Sequence, residues 1–422
     1  MHFELAGDNP RAAEYLVLAG EHALERFANR EAMAYFARAL ALAEEARPDV
    51  GLRAAIGAAK SSWGYKPIGK EVDHLERAVA AGRDAEPRLL ADAYFWIAYT
   101  RRQRGELPES SPELKLALEK AVEIGSTVKD AQAPSLPRAL IGSFAAFTGQ
   151  LRSGAREMQE ALEDMEGNAD PLASAMIADF LAMTYARLGE FKRAADTLAR
   201  GHQFADQGDE ISRLDIKIAQ AAIDLERGEL GKASEQALAA SARAEGLGAY
   251  ACVVASNVMF GSATLAMDNA SAAKQPLERG DELCLVTNMA PLRTITKGLL
   301  ASSRAQLGDL AAGVAGWNDA LSSARGMNDR YGEARVLWAR GRTYAREAAP
   351  DLNSALTDLE AAARLFEEME ARPALARVLY DKALALRALG RPEEADQMEK
   401  RALALGRELG LRDAPFASPV IQ

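Results

Sequence analysis

Arginine and aromatic residues late in the chain have the spacing of a ligand-binding helix face. The set is spaced three, four and four residues apart and consists of Arg335, Trp338, Arg342 and Arg346. Residues at this spacing lie along one side of a single helix. An arginine fork binds a carboxylate or a phosphate through two parallel hydrogen bonds, and an aromatic ring supplies apolar contact. This face therefore predicts binding of an acidic peptide or a phosphorylated small molecule.

A second group with similar spacing follows further along the chain, and it consists of Arg377, Tyr380 and Arg387. Earlier in the sequence, a mixed aromatic strip offers another candidate surface; it comprises Lys60, Trp63, Phe95, Tyr99 and Arg102. Of this strip, Trp63, Tyr99 and Arg102 are predicted to contact a ligand. In the alternative interpretation, the arginines of both groups pair with neighbouring Asp and Glu residues and only keep the surface hydrated.

No arrangement of residues predicts a catalytic, metal or cofactor site. Residues 64–70 have the glycine and lysine spacing of a phosphate-binding loop, but Glu71 stands where a magnesium-binding Ser or Thr is needed. We interpret this segment as a turn between two helices. No two histidines have a zinc-binding spacing, and no Gly-x-Ser-x-Gly motif occurs. We therefore expect neither enzymatic activity nor a cofactor.

Helices must position these candidate residues, and residues 175–207 show how. The apolar residues Ile177, Leu181 and Leu188 fall three to four positions apart or at multiples of that spacing, so they share one helix face. Gly189 then ends the helix, because glycine takes the left-handed conformation at little steric cost. A second helix follows, in which the small residue Ala194 allows close packing against the first. The stretch predicts a helical hairpin.

The hairpin recurs along the chain at a period of about 40 residues, which is the signature of a helical solenoid. Ten marker positions, most of them small residues, each fall on the second helix of a predicted unit. The markers are Ala32, Glu71, Leu114, Gly154, Ala194, Ala233, Ala273, Gly313, Ala355 and Ala395. The sequence therefore predicts about ten stacked hairpins.

This pattern resembles tetratricopeptide repeats (TPR) over residues 12–410. The fifth unit carries the resemblance best, through Tyr185, Gly189, Ala194 and Gly201. The long period is similar to that of the sensor region of maltose-activator-type bacterial signalling ATPases and regulators. The resemblance implies an all-α, right-handed superhelical solenoid whose first helices line a concave groove. Both arginine groups would then face that groove.

The predicted domain organisation has three parts. Residues 1–11 form a short lead-in, residues 12–410 form the solenoid, and residues 411–422 form a frayed tail with two prolines. Residues 129–137 are predicted as the longest interior linker, because they contain two prolines that stop a helix. This linker is either a hinge between the first three repeats and the remaining seven or a plain loop.

Charge and composition narrow the class of partner. The 422-residue chain has a net charge of −10, which argues against a nucleic-acid or anionic-membrane binder. No apolar run reaches the roughly 18 residues of a membrane span, and the N-terminus lacks the features of a signal peptide. Cys252 and Cys284 are either reduced packing residues or a regulatory pair. We expect a cytoplasmic location.

The residues and the resemblance together predict a non-catalytic module that binds a protein, a peptide or a small ligand. It would be the sensor or partner-docking region of a bacterial cytoplasmic signalling or transcription regulator. An ATPase or effector domain would lie upstream or on a separate protein. The alternative is a stand-alone adaptor or oligomerisation scaffold without a small ligand.

Overall fold

The fold is built from helices in the part of the chain that the structure describes. The computed structural model describes residues 2–42, 47–62, 71–105, 107–108, 110–165, 171–287, 290–346 and 351–416. No helix within these ranges is both long and apolar enough to cross a membrane. The twenty-one helices of these ranges are α1 (His2–Leu5), α2 (Asn9–Glu25), α3 (Asn29–Leu42), α4 (Pro48–Ser62), α5 (Glu71–Ala81), α6 (Pro87–Arg104), α7 (Pro112–Gly125), α8 (Gln132–Phe147), α9 (Leu151–Asp164), α10 (Pro171–Leu188), α11 (Phe191–Gln207), α12 (Glu210–Arg227), α13 (Leu230–Leu247), α14 (Tyr250–Ala266), α15 (Ala270–Val286), α16 (Ala290–Gln306), α17 (Leu310–Gly326), α18 (Arg330–Arg346), α19 (Leu352–Glu368), α20 (Arg372–Ala388) and α21 (Pro392–Leu409).

Ten helical hairpins account for all of these helices except α1. Each marker position falls in the second helix of its hairpin, from Ala32 in α3 to Ala395 in α21, which confirms the predicted repeat. The markers are buried because the two helices of a hairpin approach closely there. In α9, for example, a Cβ on Gly154 would lie 2.9 Å from a backbone nitrogen of α8. The two larger markers, Glu71 and Leu114, are also buried.

The fifth hairpin forms as its sequence predicts. Ile177, Leu181 and Leu188 of α10 are each 1% exposed, so the predicted apolar face lies in the core. The helix ends at Leu188, and Gly189 follows with a φ of +80°, in the left-handed region that favours glycine. The N–H of Glu190 then donates to the carbonyl of Tyr185 at 2.9 Å. The chain reverses direction at this point, and α11 returns along α10.

Distant repeats also touch one another, so the core extends beyond neighbouring hairpins. Helix α6 packs on α16, and both α10 and α12 pack on α20. Arg152 of α9 binds the carboxylate of Glu370, 218 residues later, with an Nη2–Oε2 distance of 2.7 Å. Arg30 likewise donates to the carbonyl of Leu247 at 3.1 Å. The largest hydrophobic cluster accordingly joins the fourth to sixth repeats with the eighth to tenth.

Residues 132–137 are helical, so the predicted linker over residues 129–137 is wrong for that part. Helix α8 begins at Gln132 and contains both Pro134 and Pro137. Pro134 lies in the first turn, where a backbone N–H has no intrahelical acceptor, so the proline removes no hydrogen bond. Pro137 removes one bond only, the one that the Ala133 carbonyl would accept. The connection between α7 and α8 is therefore short, residues 126–131.

Residues 411–416 pack against the solenoid, whereas the sequence predicted a frayed tail from residue 411 onward. Leu411 and Phe416 are only 2% and 5% exposed. The N–H of Arg412 donates to the carbonyl of Arg227, at the end of α12, at 2.8 Å. The prediction failed because burial of these two apolar side chains holds the segment in place despite Pro415. Residues 417–422 lie outside the described ranges.

Candidate ligand-binding site

A cavity of about 530 Å³ lies between the first helices of the sixth to tenth repeats. Its volume falls in the range of small-ligand sites, about 300–1,000 Å³. The walls come mainly from α12, α14, α16, α18 and α20, and residues 413–416 close one side. Six residues predicted from the sequence line the cavity: Arg335, Trp338, Arg342, Arg346, Arg377 and Tyr380. The structure therefore brings most of the two arginine groups to one place.

At the buried end of the cavity, two carboxylates neutralise two arginines. Arg377 binds Asp413 through two hydrogen bonds, Nε–Oδ2 at 2.7 Å and Nη2–Oδ1 at 2.9 Å. Glu226 lies 3.8 Å from Arg377 and 3.7 Å from Arg335, and it accepts a hydrogen bond from the Tyr331 hydroxyl at 2.8 Å. Burial disfavours the charge of Arg377, yet Asp413 and Glu226 outweigh burial and raise its pKa above the ordinary value. This end is charge-balanced.

At the exposed end, Arg342 and Arg346 share the carboxylate of Asp268. The Oδ1 atom of Asp268 lies 2.8 Å from Nη1 of Arg346 and 3.3 Å from Nη2 of Arg342. The Asp268 side chain is 66% exposed, so this pairing contributes little in water. The Nε of Arg342 is buried and has no hydrogen-bond partner among the described residues. This end therefore carries an excess positive charge and an unused donor.

Aromatic and aliphatic side chains form the wall between the two charged ends. The indole N–H of Trp338 donates to the Asp381 carboxylate at 2.7 Å, and its ring meets Phe366 edge-on with centroids 6.2 Å apart. Tyr380 packs against Phe416 with centroids 6.1 Å apart. The aliphatic part of the wall consists of Leu265, Ile295, Leu299 and Val336. The cavity thus offers apolar contact along its length.

The cavity is not the basic groove that the sequence predicted. Its four arginines each have a carboxylate partner, as the alternative interpretation expected, and a further carboxylate, Asp381, lines the wall. The four arginines are thus matched by Glu226, Asp268, Asp381 and Asp413 in formal charge. Arg387 does not line the cavity. It lies in the last turn of α20, where its Nη2 contacts acidic side chains of α21 at 2.7 and 2.6 Å.

The earlier aromatic strip borders a second cavity, of about 600 Å³, within the first six repeats. Lys60 and Tyr99 line it. Arg102 does not line it: this residue is 4% exposed, and its guanidinium lies 4.5 Å from the ring centroid of Phe147. Trp63 lies outside the described residues. Of the predicted ligand-contacting residues, six therefore line the first cavity and Tyr99 lines the second, so the later group is the more complete.

Neither a metal-binding cluster nor a disulfide occurs in the described part of the chain. No group of three or more His, Cys, Asp or Glu residues in these ranges could hold a metal ion. Cys252 and Cys284 are free and buried in one hydrophobic cluster. The Cys252 thiol donates to a carboxylate oxygen of Asp215 at 3.5 Å. Residues 64–70, with their phosphate-loop spacing, lie outside the described ranges.

Four acidic residues of the site were missed by the sequence analysis: Glu226, Asp268, Asp381 and Asp413. Glu226 lies in the last turn of a first helix, so the helical period could have placed it on the inner face. Asp268 and Asp413 lie outside helices, where no periodic pattern applies. The available signal for Asp413 was the pair of apolar residues around it, Leu411 and Phe416.

Comparison with known proteins identifies the fold. No protein-family model and no curated protein matches the chain. Among solved structures, a Rap protein complexed with Competence and Sporulation Factor is similar, with a TM-score of 0.63 and 12% identity over 85% of this chain and 98% of that chain. The Rap conjugation gene regulator of plasmid pLS20, in complex with the Phr* peptide, has a TM-score of 0.55 and 10% identity over 86% and 96% of the two chains.

A third similar structure is the apo form of the quorum sensor NprR from B. thuringiensis, with a TM-score of 0.51 and 13% identity over 85% of this chain and 97% of that chain. At such identities the similarities establish the fold. The order of the helices and the packing of the hairpins agree with these similarities. The chain is an all-α helical-repeat solenoid of the tetratricopeptide type.

Proposed function

We propose that the chain is a non-catalytic binding module and that the cavity between α12 and α20 holds a short peptide. The observation that carries this proposal is the exposed end of the cavity. There Arg342 has a buried Nε without an acceptor among the described residues, and its partner Asp268 is largely exposed. A ligand carboxylate can replace Asp268 at low cost, because an exposed ion pair contributes about 0–1 kcal/mol.

The charge balance favours a peptide over a phosphorylated small molecule. Arginines and carboxylates are matched around the cavity, so a dianionic phosphate would lack compensating charge. A peptide with one carboxylate and apolar side chains fits better, since its charge meets Arg342 and Arg346 while its side chains contact Trp338 and the aliphatic wall. Two of the similar solved structures are described as complexes, one with the Phr* peptide and one with Competence and Sporulation Factor.

The proposed role is that of a sensor or partner-docking region in a cytoplasmic regulator. The cavity is lined by helices from five consecutive repeats, so a bound peptide would link them. Such a ligand shifts the population toward the arrangement of repeats that it binds best. An effector, on the same polypeptide or on a separate protein, would respond to that shift. In this proposal, the residues around the cavity bind the peptide and catalyse no reaction.

The test is selection from a bead-displayed random octapeptide library with the full chain. We expect selected peptides to be enriched in Asp or Glu flanked by apolar residues. Replacing Arg342 and Arg346 by alanine should weaken binding of a selected peptide by about tenfold or more, since hydrogen bonds to charged groups contribute about 1.5–3 kcal/mol. Arg377 is unsuitable for this test, because it belongs to the buried network with Asp413.

The matched control is Arg387→Ala, which removes an exposed, carboxylate-paired arginine away from the cavity. It should leave peptide affinity unchanged. A library without enrichment, or equal affinity of the double variant and the unmodified chain, would refute the proposed site. Melting temperatures of all variants show whether any loss comes from unfolding instead.

A second candidate, an oligomerisation scaffold, is favoured by the surface at the start of the chain. Leu5 of α1 is 80% exposed, and Tyr15 and Leu18 of α2 are 58% and 47% exposed. Exposed apolar side chains that cluster mark interaction surfaces. We expect light scattering to give a multiple of the 45.3 kDa chain mass if this function holds. Leu18→Arg should then restore the mass of one chain. A single-chain mass at all protein concentrations would argue against oligomerisation.

A further inference from the structure

Residues 411–416, the docked segment, follow α21, and the last four of them line one side of the cavity. Their backbone joins the solenoid through the N–H of Arg412, which donates to the carbonyl of Arg227 at 2.8 Å. Asp413 and Phe416 both line the cavity, and their side chains are about as buried as core residues. The segment follows the last hairpin and adds no helix of its own. It is a short non-helical stretch that ends in a turn, in which the N–H of Phe416 donates to the carbonyl of Asp413 at 2.8 Å.

The carboxylate of Asp413 is bound by a fixed arginine fork. Both hydrogen bonds from Arg377 are short and parallel, at 2.7 and 2.9 Å, which is the geometry that gives arginine its selectivity for carboxylates. Nη2 of Arg377 also donates to the backbone carbonyl of Glu226 at 3.0 Å. This third bond comes from α12 and orients the guanidinium independently of the docked segment. A preoriented donor loses little entropy on binding a carboxylate.

The aromatic ring three residues after Asp413 has its own place. Phe416 packs against Tyr380 of α20 and lies against Gly406 of α21, where a Cβ would collide with its ring. A Cβ on Gly228, directly after α12, would likewise lie 2.5 Å from the backbone nitrogen of Asp413. The two glycines thus leave room for the segment on both sides. The solenoid therefore accommodates the carboxylate of Asp413, the ring of Phe416 and the backbone of the docked segment.

We propose that α12, α20 and α21 form a recognition site for a peptide segment that carries a carboxylate and, three residues later, an aromatic side chain. Asp413 and Phe416 occupy this site, so the docked segment competes with external peptides of the same class. The inference rests on the proposed peptide-binding function, because the site is one end of the same cavity. A tethered segment acts at a local concentration in the millimolar range. An external peptide that also reaches Arg342 gains contacts that the docked segment lacks.

The experiment measures binding of the chain's own sequence in trans. The probe is a fluorescein-labelled heptapeptide, GLRDAPF, which corresponds to residues 410–416. Binding is followed by anisotropy with the full unmodified chain and with a full-length release variant, Asp413→Asn with Phe416→Ala. We expect the release variant to bind the probe about tenfold or more tightly than the unmodified chain, since loss of a charge-assisted pair changes affinity by about 10- to 100-fold.

Two controls define the site. A probe with asparagine in place of aspartate, GLRNAPF, should bind the release variant about tenfold more weakly. Adding Arg377→Leu to the release variant should remove binding of GLRDAPF. A second measurement needs no variant: millimolar unlabelled GLRDAPF added to the unmodified chain should speed hydrogen exchange of the Arg412 amide, because the docked segment is displaced.

Equal probe affinity of the two chains, or unchanged exchange at Arg412, would overturn the proposal and leave the docked segment as a structural strap. The result is separable from the library selection. If GLRDAPF binds the release variant but no library peptide is selected, the recognition site stands and the proposed external ligand fails. If library peptides bind through Arg342 without affecting exchange at Arg412, the peptide-binding function stands and the competition by the docked segment fails.

Discussion

Replacing Gly228 by alanine should release the docked segment without altering the charged groups that hold it. Gly228 ends α12 with a φ of +89°, and a Cβ there would lie 2.5 Å from the backbone nitrogen of Asp413. Gly308 follows α16 in an equivalent turn with a φ of +96°, but a Cβ there would meet nothing within 4 Å. Gly308→Ala is therefore a matched control, since it introduces the same backbone strain without the collision.

The magnitude follows from two contributions. Left-handed backbone geometry costs alanine about 1–2 kcal/mol relative to glycine, and both variants bear this cost. In Gly228→Ala the Cβ meets both the carboxylate and the backbone nitrogen of Asp413, and the backbone cannot move aside as the end of a flexible side chain would, so the segment must leave. The stabilisation from burying Phe416 is then lost, while the released residues regain conformational entropy, which offsets part of that loss. We expect the free energy of unfolding of Gly228→Ala to fall about 1–2 kcal/mol below that of Gly308→Ala.

The assay combines urea unfolding, followed by circular dichroism at 222 nm (a standard helix signal), with hydrogen exchange. In Gly228→Ala the amides of Arg412 and Phe416 should exchange rapidly, because the first donates to Arg227 and the second to Asp413 within the docked arrangement. Both amides should remain protected in Gly308→Ala. The reasoning is refuted if the two variants lose equal stability and Arg412 stays protected in each.

Three further predictions concern the core. Burial raises the pKa of Asp215 to about 7, while an unfolded Asp titrates near 4. The native state therefore binds more protons than the unfolded state between these pH values, so the free energy of unfolding falls as pH rises. In urea unfolding between pH 5 and 7, Asp215→Asn should remove a slope in this free energy of up to about 1.4 kcal/mol per pH unit. Trp317 is fully buried and donates to Ser302 at 3.1 Å, so Trp317→Ala should cost about 3–5 kcal/mol, checked by the same unfolding measurement. Burial raises the pKa of the Cys252 thiol, so this thiol should react with a disulfide reagent only after unfolding; rapid labelling of the native chain would contradict the buried position.

The repeat architecture was predictable because it depends on local rules. Helix ends marked by glycine, as at Gly189, and small residues between paired helices, as at Ala194, act over fewer than ten residues of sequence. Those signals recur at every period, so an error in one unit does not disturb the others. The linker prediction failed because neither proline stops the helix: Pro134 lies in the first turn, where it is tolerated, and Pro137 removes a single hydrogen bond.

The site was predictable only in part. The spacing of Arg335, Trp338 and Arg342 placed them on one helix face, because that relation is local. The partners of the cavity arginines are not local in sequence. Asp268 precedes Arg342 by 74 residues, and Glu226, whose carbonyl accepts from Arg377, precedes that arginine by 151 residues. Which acidic residue reaches which arginine depends on how tightly the solenoid winds. No periodicity in one helix determines that curvature, so the neutral character of the cavity could not be derived from the sequence.

The contact between Arg152 and Glu370 also limits when the chain can complete its fold during synthesis. These residues are 218 positions apart. A ribosome adds about 5–20 residues per second, so the inner surface of the fourth repeat would wait roughly 10–45 s for its partner helices. Stacking on adjacent hairpins can hold the early repeats during that interval, but the shared core stays open. A nascent chain halted before α20 would therefore expose a long apolar surface, of the kind that molecular chaperones bind.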